Sequence, residues 1–312
     1  MRQGSSRQDS TARAIGCTMG RAGVCPMTIH VETFFDKTTG TATHVVHAGP
    51  GSAAAVIDSV LDFDPKSGRT DHSSADRVIA YVREQGLTVE WLLETHVHAD
   101  HLSAAPYLRS RIGGRIGIGA RVVEVQEKFG KIFNFGIDLT GDGREFDRLF
   151  DDGDRFGIGN VEVQVIAVPG HTPADVAYRV GDAVFVGDTI FMPDCGSARA
   201  DFPGGDARTL YRSAKRILEL PPETRIFICH DYPPDGREVR FHTTVAEERA
   251  ANKHLRDGIG EDEFVEMRTA RDKTLAMPVL MIPSVQVNMR AGHLPPAEDN
   301  GVTYLKLPVN VL

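Results

Sequence analysis

The chain has few cysteines, no long apolar run and no excess of basic residues. Its 312 residues include four cysteines, and none of them forms a Cys-x-x-Cys pair. This usage does not fit a disulfide framework and is typical of a reducing compartment. No apolar run approaches the roughly 18 to 20 residues that cross a bilayer, so we do not expect a membrane protein. With 35 Lys and Arg against 43 Asp and Glu, the net charge is −8, and nucleic-acid binding is not expected.

The first 26 residues differ from the rest of the chain. They contain arginines and serines but no apolar segment of the kind found in a secretory signal. We expect residues 1–26 to be a disordered leader, with a mitochondrial transit segment or a mis-assigned start as the alternatives. The remaining residues, 27–312, have an ordinary globular composition and are expected to form one domain, with a charged, helical C-terminal extension from about residue 240.

Apolar patterns after residue 27 predict strands that alternate with helices. The segment VEVQVIAVP alternates like a strand, and DVAYRV and AVFVGD around Gly181 predict a hairpin. LSAAPYLRSRIGG predicts a helix from Leu102 onwards, and Asp206 is placed to cap the helix ARTLYRSAKRILEL. The tail segment VTYLKLP has strand-like residues, so we keep the extension in the same domain.

The most informative segment is Glu94-Thr95-His96-Val97-His98-Ala99-Asp100-His101. Three histidines and an aspartate at these offsets should arise by chance in on the order of one chain in a thousand. In an extended segment, His96 and His98 would face one point while Asp100 and His101 turn towards an adjacent one. The segment therefore predicts metal binding, and a solvated polar loop is the alternative.

Three further candidates follow the ends of predicted strands. His171 comes after VIAVPG, Asp188 after AVFVG and His230 after RIFIC. A single histidine in such a position is more often an ordinary hydrogen-bonded residue. Together, however, the loops beyond these strand ends can converge on one site.

The motifs HVHADH, PGHT, GDT and CHDY occur in this order and resemble those of the metallo-β-lactamase superfamily. The resemblance runs from about residue 28 to 255. It implies an α/β fold, a four-layer αβ/βα sandwich of two mixed β-sheets with a metal site along one edge. Within the superfamily, THVHADH, PGHTP and PDCGSARADFPGGDA are similar to the persulfide (sulfur) dioxygenases. Glyoxalase II is the next most similar group.

The seven candidate side chains supply enough ligands for two metal ions, as in a hydrolase. One ion would take His96, His98 and His171, the other Asp100, His101 and His230, and Asp188 could bridge them.

The dioxygenase resemblance implies a different centre, with one Fe(II) per chain held by His96, His171 and Asp188. Two histidines and one carboxylate leave coordination positions open for substrate and dioxygen. The other four residues would then orient ligands or waters. These four are His98, Asp100, His101 and His230. Two Zn(II) ions or mixed metals are the alternative.

The resemblance also marks Arg199 and Tyr232 as candidate catalytic residues. Arg199 could hold a glutathione carboxylate, or tie its loop to an acid such as Asp201. Tyr232 could donate its hydroxyl group to substrate, or be a half-buried packing residue. Cys195 lies near the expected pocket, where a small buried thiol is favoured over a reactive one. Cys229, inside RIFICH, is expected in the core.

The function implied by the resemblance is an Fe(II)-dependent persulfide dioxygenase that oxidises glutathione persulfide with O2 to sulfite and glutathione. Only about 80 residues follow His230, and they end in a Pro-rich tail. This differs from the helical domain with which glyoxalase II grips glutathione. The alternative is a hydroxyacylglutathione thioester hydrolase with a binuclear site. Related proteins often form homodimers, and the expected location is the bacterial cytoplasm, with the mitochondrial matrix as the alternative.

Overall fold

The structure, a computed structural model, describes residues 29–311. The predicted leader, residues 1–26, lies outside the described residues. Within the described range, no helix combines the length and apolar character needed to cross a membrane.

Fifteen strands are found in this range. They are β1 (His30–Asp36), β2 (Thr41–His47), β3 (Ala53–Ile57), β4 (Val60–Asp64), β5 (Arg69–Asp71), β6 (Thr88–Leu93), β7 (Leu102–Ser103), β8 (Arg115–Gly119), β9 (Arg148–Phe150), β10 (Arg155–Ile158), β11 (Val161–Ala167), β12 (Val176–Val180), β13 (Ala183–Phe185), β14 (Arg225–Phe227) and β15 (His242–Thr244).

Seven α-helices are found in the same range. They are α1 (Ser73–Glu84), α2 (Ala105–Ile112), α3 (Val122–Phe133), α4 (Ala207–Leu218), α5 (Val245–Ala251), α6 (Glu261–Asp272) and α7 (Met281–Asn288).

The strands form two large mixed sheets and a small one. The first sheet has the order β1-β2-β3-β6-β8-β9 and the second β10-β11-β12-β13-β14-β15, while β5-β4-β7 form the small sheet. In the first sheet β3, β6, β8 and β9 run parallel, and in the second only β13 and β14 do.

The two large sheets pack face to face, and helices cover their outer faces. Trp91 and Ile57 of the first sheet share a buried core with Val163 and Tyr178 of the second. Helices α1, α2, α3 and α7 pack on the other face of the first sheet, and α4 and α6 on that of the second. These are the four layers of an αβ/βα sandwich, so the predicted fold class is confirmed.

Strand β3 shows how the sequence specifies this layering. Successive side chains of a strand point to opposite faces. Ala54 and Val56 accordingly pack towards the helices, while Ala55 and Ile57 pack between the sheets. Because both faces are covered, the strand is apolar throughout.

Two sequence predictions need correction. The helix expected from Leu102 begins at Ala105, because Leu102 and Ser103 pair with β4 instead. The tail segment VTYLKLP does not join a sheet. The amide and carbonyl groups of Lys306 bond to the side chain of Gln286 on α7, which takes the place of a strand partner.

The candidate ligands all lie beyond the ends of strands of the two large sheets. The segment 94–101 follows β6 of the first sheet. His171, Asp188 and His230 follow β11, β13 and β14 of the second sheet. The β12–β13 hairpin forms as predicted, with Val180 opposite Ala183.

Helix α4 offers a test of how its N-terminus is fixed. Asp206 caps it as predicted, and its Oδ1 accepts a hydrogen bond from the Thr209 amide at 2.7 Å. We expect Asp206→Ala to lower the free energy of unfolding by about 1 kcal/mol, since the amide loses its acceptor. Urea unfolding would measure this. Asp206→Asn keeps a capping oxygen and is the control; equal losses in the two variants would contradict the capping role.

Candidate metal centre

The segment 94–101 leaves the first sheet as an irregular loop that is almost fully buried. Its shape is held by Asp58, which follows β3 on the neighbouring strand. Asp58 Oδ1 accepts from the Thr95 amide at 2.8 Å, and its Oδ2 accepts from the Thr95 hydroxyl at 2.9 Å. The loop therefore directs its histidines towards the second sheet without being an extended strand.

The structure brings all seven predicted side chains together, in two sets. In each set the potential ligand atoms lie within 4.8 Å of one another. The first set is His96, His171 and Asp188, and the second is His98, Asp100, His101 and His230. His98 thus falls with the second set, although the period-two argument paired it with His96. Their role as metal ligands stays a prediction.

Asp188 lies between the two sets. Its Oδ2 is 3.7 Å from His171 Nε2 in the first set, and its Oδ1 is 3.5 Å from His230 Nε2 in the second. On the other side of the second set, Asp100 Oδ2 is 3.2 Å from the same His230 nitrogen. The Asp188 carboxylate could therefore bind a single metal ion or bridge two of them.

Five nitrogen and oxygen atoms of these two sets are buried without a hydrogen-bond partner. They are His96 Nε2, His98 Nδ1, His101 Nε2, His230 Nε2 and Asp188 Oδ1. A buried polar atom without a partner carries a desolvation cost that the native fold rarely leaves uncompensated. Imidazole nitrogens and carboxylates are the donors preferred by zinc and by non-haem iron. The residues present therefore fit a metal ion.

The opposite nitrogen of several rings is fixed by the protein. His171 Nδ1 donates to the Arg199 carbonyl at 2.8 Å, and His230 Nδ1 donates to the Gly40 carbonyl at 3.2 Å. His98 Nε2 donates to Asp58 Oδ1 at 2.9 Å. Such contacts fix the tautomer that leaves the other nitrogen free for a metal.

Asp58 is a functional residue that sequence reasoning missed. It is 2% exposed, and hydrogen bonds from His98 and Thr95 satisfy it. Burial opposes its ionisation, but the attraction of His98 and these bonds outweigh burial and lower the pKa of Asp58. The available signal was an aspartate at the end of the apolar segment AAAVI, in the same position relative to its strand as the candidate ligands.

The structure shows the partners of Arg199, and its predicted catalytic role stays a prediction. Its guanidinium is paired with Asp201, with Nε 2.6 Å from Oδ1 and Nη2 2.8 Å from Oδ2, and Nη1 donates to the Ala276 carbonyl. Arg199 therefore ties its loop together, and it contacts His171 through its main-chain oxygen alone.

Tyr232 covers the second set of ligands. Its ring stacks on His230, with centroids 5.7 Å apart, and meets Phe191 edge-on at 6.0 Å. The residue is nevertheless 53% exposed. Gly40 makes room for it, since a Cβ there would lie 3.0 Å from the tyrosine ring. One face of Tyr232 packs while about half of the residue is exposed and lines the cavity, so both predicted roles fit its position.

Two cysteines, Cys195 and Cys229, lie near the candidate centre. Cys195 is half-buried and its Sγ donates to the Tyr232 carbonyl at 3.4 Å; burial raises the pKa of this thiol. Cys229 is buried, as expected for a core residue, but it also lies beside Asp188 and His230. Burial raises the pKa of Cys229 as well.

Helix α7 contacts the histidine loop through the side chain of Asn288, its last residue. The Asn288 amide nitrogen donates to the carbonyls of His98 at 2.9 Å and His101 at 2.7 Å, and its oxygen accepts from the Ser103 amide. Asn288 is 3% exposed. The extension after residue 240 thus contributes directly to the shape of the candidate centre.

A cavity of about 380 Å³ opens on this centre. His171, Asp188 and Asp100 line its inner end, and Phe191, Tyr232 and Leu275 are among its apolar lining residues. This volume falls in the range of small-molecule sites. The first set of ligands therefore faces a pocket that admits a substrate.

Comparisons with known proteins agree with this geometry. Residues 38–230, more than half of the chain, match the metallo-beta-lactamase superfamily. The chain belongs to the metallo-beta-lactamase superfamily.

Relatives in this superfamily carry different names. A probable metallo-hydrolase of Burkholderia pseudomallei (strain 1710b) is 56% identical, over 90% of this chain and 99% of the relative. Glyoxylase B2 of Dictyostelium discoideum is 49% identical, over 90% and 97% of the two chains. The mitochondrial persulfide dioxygenase ETHE1 of Homo sapiens is 29% identical, over 85% and 89%. The crystal structure of ETHE1 from Myxococcus xanthus has a TM-score of 0.67 at 29% identity, covering 85% of this chain and all of that one.

These comparisons confirm the predicted superfamily and its two related groups. The chain is a metallo-beta-lactamase superfamily enzyme, with candidate metal ligands in the place that the fold provides for them. The relatives do not identify the metal, and they carry both hydrolase-type and dioxygenase names.

The contact between Asp58 and Thr95 can be tested through metal affinity. We expect Asp58→Ala to weaken metal binding by about 10- to 100-fold, because Asp58 holds Thr95, whose hydroxyl lies 3.0 Å from Nδ1 of the candidate ligand His96. Competition with a chromophoric chelator would measure this. Asp62→Ala is the matched control, since Asp62 bonds Ser74 at the start of α1 instead. Unchanged affinity in Asp58→Ala would contradict the assigned role.

Proposed function

We propose that the protein is an Fe(II)-dependent persulfide dioxygenase that converts glutathione persulfide, O2 and water to glutathione and sulfite. In this reaction the terminal sulfur is oxidised, dioxygen is reduced and the sulfur–sulfur bond is hydrolysed. Two of the sulfite oxygens come from O2 and one from water, and two protons are released. Fe(II), when bound, supplies open coordination positions and redox chemistry.

The observation that carries the proposal is the compact set of His96, His171 and Asp188 at the inner end of the cavity. Two histidines and one carboxylate are the ligand set of non-haem Fe(II) oxygenases. His171 and Asp188 line the cavity, whereas His96 is 1% exposed and is not among the lining residues. A substrate in the cavity therefore approaches the centre from one side.

The chain's own residues would position this substrate and hold the ligands. The Arg199 carbonyl holds the His171 ring in one orientation. Phe191 and Tyr232 supply apolar surface beside the centre, which limits the access of water. Tyr232 lines the cavity, and its hydroxyl would donate a hydrogen bond to an anionic substrate.

A second candidate is a thioester hydrolase of the glyoxalase II type. It is favoured by the completeness of the second set, in which His98, His101 and His230 each present an unpartnered nitrogen. Two ions held by the two sets would supply the chemistry that makes water a nucleophile at neutral pH. The identity to glyoxylase B2 exceeds that to the persulfide dioxygenases.

The two candidates are separated by metal content and oxygen uptake. Protein expressed with iron supplied should contain about one iron per chain and should consume O2 with glutathione persulfide, because only one set is needed. Elemental analysis and an oxygen electrode would measure this. Two metals per chain without uptake, together with hydrolysis of S-lactoylglutathione, would instead assign the hydrolase.

Ligand variants test which set holds the iron. His96→Ala, His171→Ala and Asp188→Ala should each abolish iron binding, since each removes one of three ligands. His98→Ala and His230→Ala should leave much of the iron in place, and they serve as matched controls. Elemental analysis of the purified variants gives the result, and equal loss from all five would overturn the single-iron assignment.

A further inference from the structure

Four basic side chains line the cavity that leads to the candidate centre. They are Arg199, Lys253, Arg268 and Arg271. Two of the four are neutralised within the protein. Arg199 is paired with Asp201, and Arg268 is paired with Asp272, with Nε 2.8 Å from Oδ1.

The other two cations are available to a ligand. Lys253 follows α5 and Arg271 lies in the last turn of α6, and both are exposed. Among residues 29–311, neither side chain forms an ion pair or a hydrogen bond. The neutralised and the available cations thus differ in their partners, although they line the same cavity.

The surroundings of His254 show that this positive charge is concentrated. His254 is 6% exposed, and its Nδ1 accepts a hydrogen bond from the Ser197 amide at 3.0 Å. Burial, followed by repulsion from Arg268, Lys253 and Arg271, lowers the pKa of His254 to about 3. These three cations therefore lie near one another, on the part of the cavity formed by the extension.

The acids of the cavity do not cancel this charge. Asp100 and Asp188 belong to the candidate metal centre, where a bound cation would balance them. Asp194 is bonded by Arg237 through both of its oxygens, at 2.5 and 2.8 Å. An excess of positive charge therefore remains at Lys253 and Arg271.

We propose that Lys253 and Arg271 bind the carboxylates of the carrier thiol, so that the enzyme selects persulfides of anionic, carboxylate-bearing thiols. Glutathione, with two carboxylates, belongs to this class. The proposal rests on the proposed function for the reacting group, but it concerns the other end of the substrate. It also assigns the carboxylate contact to the segment α5–α6, whereas the resemblance offered Arg199 for it as one of two alternatives.

The test measures binding of a ligand that cannot react. S-methylglutathione should bind the metal-loaded enzyme, and Lys253→Ala/Arg271→Ala should weaken this binding about tenfold, as expected for the loss of two exposed charge contacts. Isothermal titration calorimetry gives the affinities. The diethyl ester of S-methylglutathione, which lacks both carboxylates, should bind wild type and double variant alike.

A matched control removes the same charge from the same segment. Arg256→Ala/Lys273→Ala deletes two exposed cations that do not line the cavity and should leave binding unchanged. The wild-type affinity for S-methylglutathione should also fall as ionic strength rises, because exposed charges are screened by salt. This measurement needs no variant.

Three results would overturn the proposal. These are an unchanged affinity in the Lys253→Ala/Arg271→Ala variant, an ester that binds as tightly as the acid, and an affinity that is independent of salt. Oxygen uptake with glutathione persulfide is measured in parallel. If uptake is absent while the binding pattern is as expected, the persulfide chemistry fails and the carboxylate contact stands. If uptake is present, KM should rise in the double variant with kcat unchanged, since uniform binding is lost.

Discussion

The rest of the site depends on the cost of burying histidine nitrogens. Five histidines face one another where the two sheets meet, and their ring nitrogens are buried there. Removing such atoms from water is costly unless each finds a partner. The protein satisfies one nitrogen of His98, His171 and His230 with a carboxylate or a carbonyl. The remaining nitrogens of His96, His98, His101 and His230 are left without a partner in the protein, and a cation fits them.

This constraint explains why residues distant in the sequence are held so firmly. Thr95 and His98 are bonded to Asp58, and His171 is bonded to the main chain of the loop that contains Arg199. Gly187 has a φ of +52°, and a Cβ there would lie 2.5 Å from the Thr95 hydroxyl oxygen. The position before Asp188 must therefore be glycine for the two sheets to approach at this point.

The strand ends and the candidate ligands could be predicted from the sequence, because both follow from local patterns. Apolar segments gave the strands, and polar residues after them marked the site. The period-two pattern wrongly paired His98 with His96, whereas the dioxygenase resemblance had grouped it with Asp100, His101 and His230. Its position depends on the course of an irregular loop and on Asp58 from another strand. The Asp201 partner of Arg199 was one of two open alternatives, and its second contact, the Ala276 carbonyl, lies on a distant segment that leaves no local signal. The tail was misread because its partner, Gln286, is a side chain and leaves no periodic signal.

The contact of Asn288 with the histidine loop bears on when the candidate centre can form during synthesis. Asn288 follows His101 by 187 residues. At typical rates of synthesis, this separation corresponds to on the order of 10 to 40 seconds. During that interval the histidines have been made but the side chain that fixes their loop has not. Histidine-rich segments bind several divalent metals. The order of their affinities depends more on the identity of the metal ion than on the protein. The loop geometry that would distinguish one metal from another is therefore complete only after α7 docks.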